Sequence, residues 1–167
     1  MNIRFKIPRH LARLIRDDLA RPHPFAFERV GFISVSAAGG GGDLWIFARE
    51  FHPVADDDYL NDNTVGAMMG PEAIRKALQR SRVDSVGMFH VHTHCGDSIP
   101  YFSNVDLSEQ ARFVPNFFQM APQCPHGALV LSNSYAYGHV WLDGQSSHKE
   151  INEFVEVGMP LKKWRTV

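Results

Sequence analysis

Three histidines stand at alternate positions in Gly87-Met88-Phe89-His90-Val91-His92-Thr93-His94, and Ser103-Asn104-Val105-Asp106 follows a loop later. Two histidines and one carboxylate, with one position left open, are a catalytic zinc arrangement. Val86, Phe89 and Val91 are β-formers and no proline interrupts the stretch from there to Pro100, so the segment predicts a strand. On a strand, side chains return to one face every second residue, with Cβ atoms roughly 7 Å apart. His90, His92 and His94 therefore share a face, and two of them can converge on one ion. Ser103 with Asp106 three residues on is a helix-start signature. That start aims the Asp106 carboxylate back toward the strand end. A lone strand histidine is ordinarily a packed or surface polar residue. Three at this spacing, beside a Gly/Pro loop and Ser-x-x-Asp, point to metal binding.

In these residues the chain resembles the JAMM (MPN-plus) zinc metalloprotease family. Its motif is a distant upstream Glu, then His-x-His, a short spacer and Ser-x-x-Asp. The upstream partner is Glu28, in Glu28-Arg29-Val30-Gly31-Phe32-Ile33, which matches the family's Glu-x-x-Gly-aliphatic strand start. The resemblance covers Phe25 to Leu142. It implies a mixed, curved β-sheet flanked by helices, the MPN (cytidine-deaminase-like) fold. It implies one zinc ion per chain and hydrolysis of an isopeptide or peptide bond at the C-terminus of a ubiquitin-like protein. Glu28 then acts as general base and acid, and Ser103 hydrogen-bonds the oxyanion or simply caps its helix. Glu50 is the nearest rival base but lacks the Glu-x-x-Gly context. Arg112-Phe113-Val114-Pro115 and Pro125-His126-Gly127-Ala128-Leu129 resemble the bacterial branch, whose members accompany ubiquitin-like proteins and their activating or conjugating enzymes. No Cys-x-x-Cys occurs, so the zinc site of the deaminases is not indicated.

Two ligand registers fit. His90 and His92 place Gly87 three residues before the first ligand, as the family does, and leave ten residues before Ser103. His92 and His94 leave eight. A strand resists insertion because a one-residue slip flips every side chain, whereas a surface loop absorbs it at small entropic cost. The expected ligands are therefore His90, His92 and Asp106, with His94 in place of His90 in the alternate register. The proline that usually follows the second histidine is missing in both. Cys95 is a ligand only if its loop folds back. Two other readings stand beside the protease: a small-molecule or peptide metalloamidase on the same fold, and a non-catalytic MPN scaffold. Scaffolds usually lose ligands, and here the whole set is present.

The elements around these residues read as one domain over 1–167. Asn2 to Lys6 alternates as a short strand. His10 to Leu19 is a helix with Leu11, Leu14, Ile15 and Leu19 on its apolar stripe. Phe25 to Ser36 and Leu44 to Phe51 are strands joined by a turn containing four consecutive glycines, with neither the lysine nor the helix of a phosphate loop. Glu50 and His52 read as surface residues near a strand end. Asp56-Asp57-Asp58 reads as a solvated acidic loop, lacking the glycine and terminal Glu of a calcium loop, and Met68 and Met69 give the following stretch an apolar tip. A helix opens at Pro71 and runs to Arg80, with Ser81 to Asp84 as a link. A second helix from Ser103 ends or kinks at Pro115. Gly127 to Ser132 is a central strand and Tyr135 to Leu142 another. Glu150 to Val157 reads as a short helix, and Met159 to Val167 as a loosely packed basic tail. This order predicts an α/β fold with a mixed sheet.

Composition bounds the partners. The formal net charge is −1, so no bulk electrostatic attraction favours nucleic acid or an anionic membrane. No apolar run approaches the roughly 18 residues a membrane span needs, and the first residues lack a signal-peptide core. Two cysteines make no disulfide framework, which fits the cytoplasm.

Overall fold

The computed structural model describes residues 1–23, 26–61, 66–94, 96–164 and 166. Phe25, where the second strand was expected to begin, and Cys95 lie outside them. The described residues form strands β1 (Asn2–Pro8), β2 (Val30–Gly40), β3 (Asp43–Pro53), β4 (Gly87–Thr93), β5 (His126–Leu131), β6 (Ala136–Trp141), β7 (Lys149–Glu150), β8 (Glu153–Val157) and β9 (Lys162–Trp164). Helices α1 (Arg9–Leu19), α2 (Pro71–Asp84) and α3 (Asn104–Met120) complete a mixed α/β architecture with one strongly curled sheet. The strand order is β7-β6-β5-β4-β2-β3-β1-β8-β9. Its parallel pairs are β4 with β5, β1 with β3, and β1 with β8.

Alternation along each strand sorts side chains to two faces. Ile33, Phe89, Val91, Leu129 and Phe5 point into one core, which α1 closes with Leu11, Ile15 and Leu19. Val30, Phe32 and Met88 point into the other, closed by Phe113, Val114 and Phe117 of α3 and by Ala73 and Ala77 of α2. The β2–β3 hairpin turns at Gly41 and Gly42, whose φ of 62° and 86° suit the two-residue turn that follows strand twist.

Several expectations need correction. Glu150 to Val157 is strand: β8 lies parallel to β1 with Phe5 opposite Phe154. Pairing with β1 and burial of Phe154, Val155 and Glu156 in a row make it a strand covered on both faces. The tail is not loose, because β9 pairs with β8 and Trp164 is buried, with the Arg16 guanidinium 4.0 Å over its ring. Leu14 is 54% exposed and the stripe of α1 runs through Leu11, Ala12, Ile15 and Leu19. Helix α2 continues through Ser81 to Asp84, where Ser85 ends it in the left-handed region at φ 50°. Helix α3 passes through Pro115. That proline is exposed, so the carbonyl it strands faces water, while Phe113, Val114, Phe117 and Phe118 hold both halves against the sheet. The acidic triplet is not simply solvated: Asp56 accepts from Arg29 at 2.6 Å and the buried Asp58 from Lys76 at 2.7 Å. No helix among the described residues is long and apolar enough to cross a membrane.

Candidate metal centre

The end of β4 sits mid-sheet between β2 and β5, with Val30 opposite His92 and Val130 on the other side. Met88, His90 and His92 face α3. The strand assignment stops at Thr93, but the His94 amide still donates to the Leu131 carbonyl at 2.8 Å. That extra bond keeps His94 in the strand's alternation, on the face of His92. The Nε2 atoms of His92 and His94 are 3.3 Å apart, and His92 Nε2 is 3.6 Å from Asp106 Oδ1. Glu28, His92 and His94 each bring one donor atom within 4.8 Å of the others.

Asp106 is aimed by the start of α3. Ser103 is the N-cap: its amide and hydroxyl both donate to Asp106 Oδ2 at 2.7 Å, and its Oγ accepts from the Asp106 amide at 3.2 Å. This reciprocal capping box consumes Oδ2 and leaves Oδ1 toward His92. The expected helix-start signature is present as read.

Glu28 precedes β2 and is held from both sides. Its amide and that of Phe27 donate to the Gly66 carbonyl at 2.9 and 2.8 Å. Its neighbour Arg29 is buried, donating to the carbonyls of Arg21 and Pro22 and to Asp56. The Tyr59 hydroxyl accepts from the Val30 amide and donates to the Val30 carbonyl. A Cβ at Gly66 would lie 2.7 Å from Glu28 Oε2, so only glycine lets the carboxylate stand there. Burial raises the Glu28 pKa, His94 opposes that, and Asp106 adds to it.

His90 lies deeper. It lines the same cavity, and its ring centroid is 5.6 Å from Phe32, 5.4 Å from Phe113 and 5.7 Å from His92. Burial among these rings pushes its pKa down to about 3. His92 is pushed down for the same reason, with Asp106 pulling the other way. Both imidazoles are therefore held neutral, the form that ligates a metal. His90 Nε2 and His92 Nδ1 are buried without a hydrogen-bond partner.

The donor set fits a zinc ion. Ligands at about 2.05 Å in a tetrahedron are separated by about 3.4 Å, which lies between the His92–His94 distance of 3.3 Å and the His92–Asp106 distance of 3.6 Å. Of the expected residues, Glu28, His92, His94, Ser103 and Asp106 come together at one end of a cavity of about 310 Å³, with Met68, Met69 and Val105 also on its wall. His90 is in that wall one step further in. Gly66, Arg29 and Tyr59 were not singled out from the sequence. Gly66 had a visible signal, a lone glycine before Ala67-Met68-Met69; the other two are ordinary until the fold brings them to Glu28.

No protein-family profile and no curated protein matches the chain. Among solved structures the chain is similar to the STIL N-terminal domain of Trichoplax adhaerens, at 9% identity and a TM-score of 0.35. The match covers 80% of this chain and 40% of that one, so the chain spans less than half of its length. A likeness of that size carries no functional argument.

Proposed function

We propose that the chain is a zinc-dependent hydrolase of the JAMM type, with an MPN-like fold, cleaving an isopeptide or peptide bond at the C-terminus of a ubiquitin-like protein. The observation that carries this reading is the convergence of Glu28, His92 and His94 within 4.8 Å, with Asp106 Oδ1 3.6 Å from His92 Nε2. We assign the metal to His92, His94 and Asp106, with His92 Nε2 standing 3.3 Å from His94 Nε2 and 3.6 Å from Asp106 Oδ1. His90 backs them from below.

Zinc held by His92, His94 and Asp106 would supply a bound water with its pKa lowered to about 7. The chain's own residues do the rest. Glu28, partly buried and with its pKa raised, takes a proton at its carboxylate and returns it to the departing nitrogen. The Ser103 hydroxyl now donates to Asp106; swinging that hydrogen outward gives a hydrogen bond to the oxyanion while Oγ still accepts from the Asp106 amide. Val30, Ala67, Met68, Met69 and Val105 line the approach and exclude water around a narrow, extended tail.

The test is metal content and cleavage measured together. Purified protein is expected to hold about one zinc per chain, lost in His92→Ala and His94→Ala and retained in Glu28→Gln. Glu28→Gln is expected to lower cleavage of a ubiquitin-like fusion by roughly 10²–10⁴-fold. Full activity in that variant, or no zinc under any loading condition, overturns the assignment. Zinc lost with His90→Ala and kept with His94→Ala moves the ligands one pair back along the strand. A short peptide cleaved as well as the folded substrate makes the enzyme a general amidase.

A further inference from the structure

Glu28 and His94 do not only close the first cavity. They also line a second, of about 360 Å³. The two cavities thus meet at the reactive pair, as the two halves of a substrate must. Their linings differ in charge. The first carries the carboxylates of Asp106 and Glu109 beside its apolar wall. The second is lined by Arg16, Arg21 and Arg29, with Ser132 and Asn133, and Glu28 is the one carboxylate among its described lining residues. The carboxylates paired with those arginines stand outside the lining: Glu156 with Arg16, Asp18 holding Nε and Nη2 of Arg21, and Asp56 with Arg29, which also donates to the Arg21 and Pro22 carbonyls. Arg21 is half exposed and so reachable.

The direction of the substrate follows from which residues line which side. Ser103, the oxyanion donor, lines the first cavity and not the second. The acyl half, with its carbonyl oxygen, therefore lies in the first. Glu28, which returns the proton to the leaving nitrogen, faces both, so the nitrogen's half extends past it. Resting on the hydrolase reading above, we propose that the second cavity receives the leaving-amine half of the substrate and selects for a carboxylate on it, through Arg21 with Arg16 behind. The carboxylate is either an acidic side chain next to the cleaved bond or the free α-carboxylate of a single departing residue.

The test uses zinc-loaded protein and short peptides that share one acyl half ending in Gly-Gly. One has an aspartate after the cleaved bond and one a lysine, both amidated; alanine is offered as the amide and as the free acid. The aspartate peptide is expected to exceed the lysine peptide in kcat/KM by roughly fivefold, the size of a partly screened ion pair, through KM and not kcat. Arg21→Glu is expected to reverse that order. A gain with the aspartate side chain identifies an internal acidic residue, and a gain with the alanine free acid a departing amino acid. Equal kcat/KM for all four peptides, or an unchanged order in Arg21→Glu, overturns the proposal while leaving the hydrolase standing. Fluorescence anisotropy of the labelled aspartate and lysine peptides on Glu28→Gln reads the same cavity without turnover. Arg21-dependent binding of the acidic peptide, with no cleavage by wild type, keeps the carboxylate site and removes the hydrolase reading. No charge preference in either assay removes the site.

Discussion

Phe89 and Val91 on one face of β4 are 0% exposed, and His90 and His92 on the other are 8% and 2% exposed. Equal depth serves opposite ends. The Phe89 ring meets Phe5 at 5.5 Å in an edge contact, and every atom there gains by being covered. Across the strand, His90 Nε2 and His92 Nδ1 are covered without a partner. A buried polar atom left unpaired costs about 1–3 kcal/mol. The α1 face of the strand therefore stabilises the fold, and the α3 face holds a site in readiness at some expense to it.

The contrast can be broken from either side. The largest effect is expected on the α1 face. Phe89→Ala removes a fully buried ring and should lower stability by about 3–5 kcal/mol, read as a shift in the urea midpoint. A loss below about 1 kcal/mol would mean the two faces are not so different.

A smaller effect comes from His126, which shows what a buried histidine looks like when it is structural. Its Nδ1 accepts from the Met88 amide at 3.1 Å, and its Nε2–H donates to the Ala121 carbonyl at 3.0 Å. Burial pushes its pKa down to about 4, opposed by the Ala121 bond. The folded state refuses a proton that the unfolded chain accepts below about pH 6.5. Stability is therefore full above that pH, falls as the pH drops toward 4, and stops falling once the folded form also protonates. The contribution is about 3 kcal/mol. Urea titrations of metal-free protein between those pH values should show it, with a shallower slope in His126→Gln. An identical slope in the variant would remove His126 as the cause.

The smallest effect sharpens the comparison most. His90→Phe replaces the orphaned nitrogen by carbon among Phe32 and Phe113. Metal-free protein should gain about 1 kcal/mol, because an unpaired polar group is replaced by an apolar one. Thermal melts of the apo protein check this, and a loss of comparable size would show that His90 Nε2 is satisfied in solution.

Most of the architecture was legible because alternation and capping are local. Asn2 to Lys6, the glycine turn, the histidine strand and the Ser103–Asp106 box could each be read within one short window. Glu150 to Val157 could not, since what makes it a strand is Phe5, far away in the chain and parallel to it. Pro115 misled for a related reason: its rule is local, but four buried side chains around it belong to a tertiary contact. In the site, the residue types were visible and their meeting was not. His94 stays on the face of His92 through one amide bond to Leu131, which no spacing rule encodes. Arg29, Tyr59 and Gly66 support Glu28 through backbone groups, and such support leaves no motif.

The capping box at Ser103 has a consequence for what mutation can reach. The Asp106 carboxylate uses one oxygen to begin α3 and presents the other to His92. Asparagine has one oxygen to give, so either the helix start or the face toward His92 receives an amide nitrogen instead. Glutamate is one methylene longer and cannot close the same ring from the same place. Neutral drift at position 106 is thereby closed in both directions. A change at position 106 must also redesign how this helix begins.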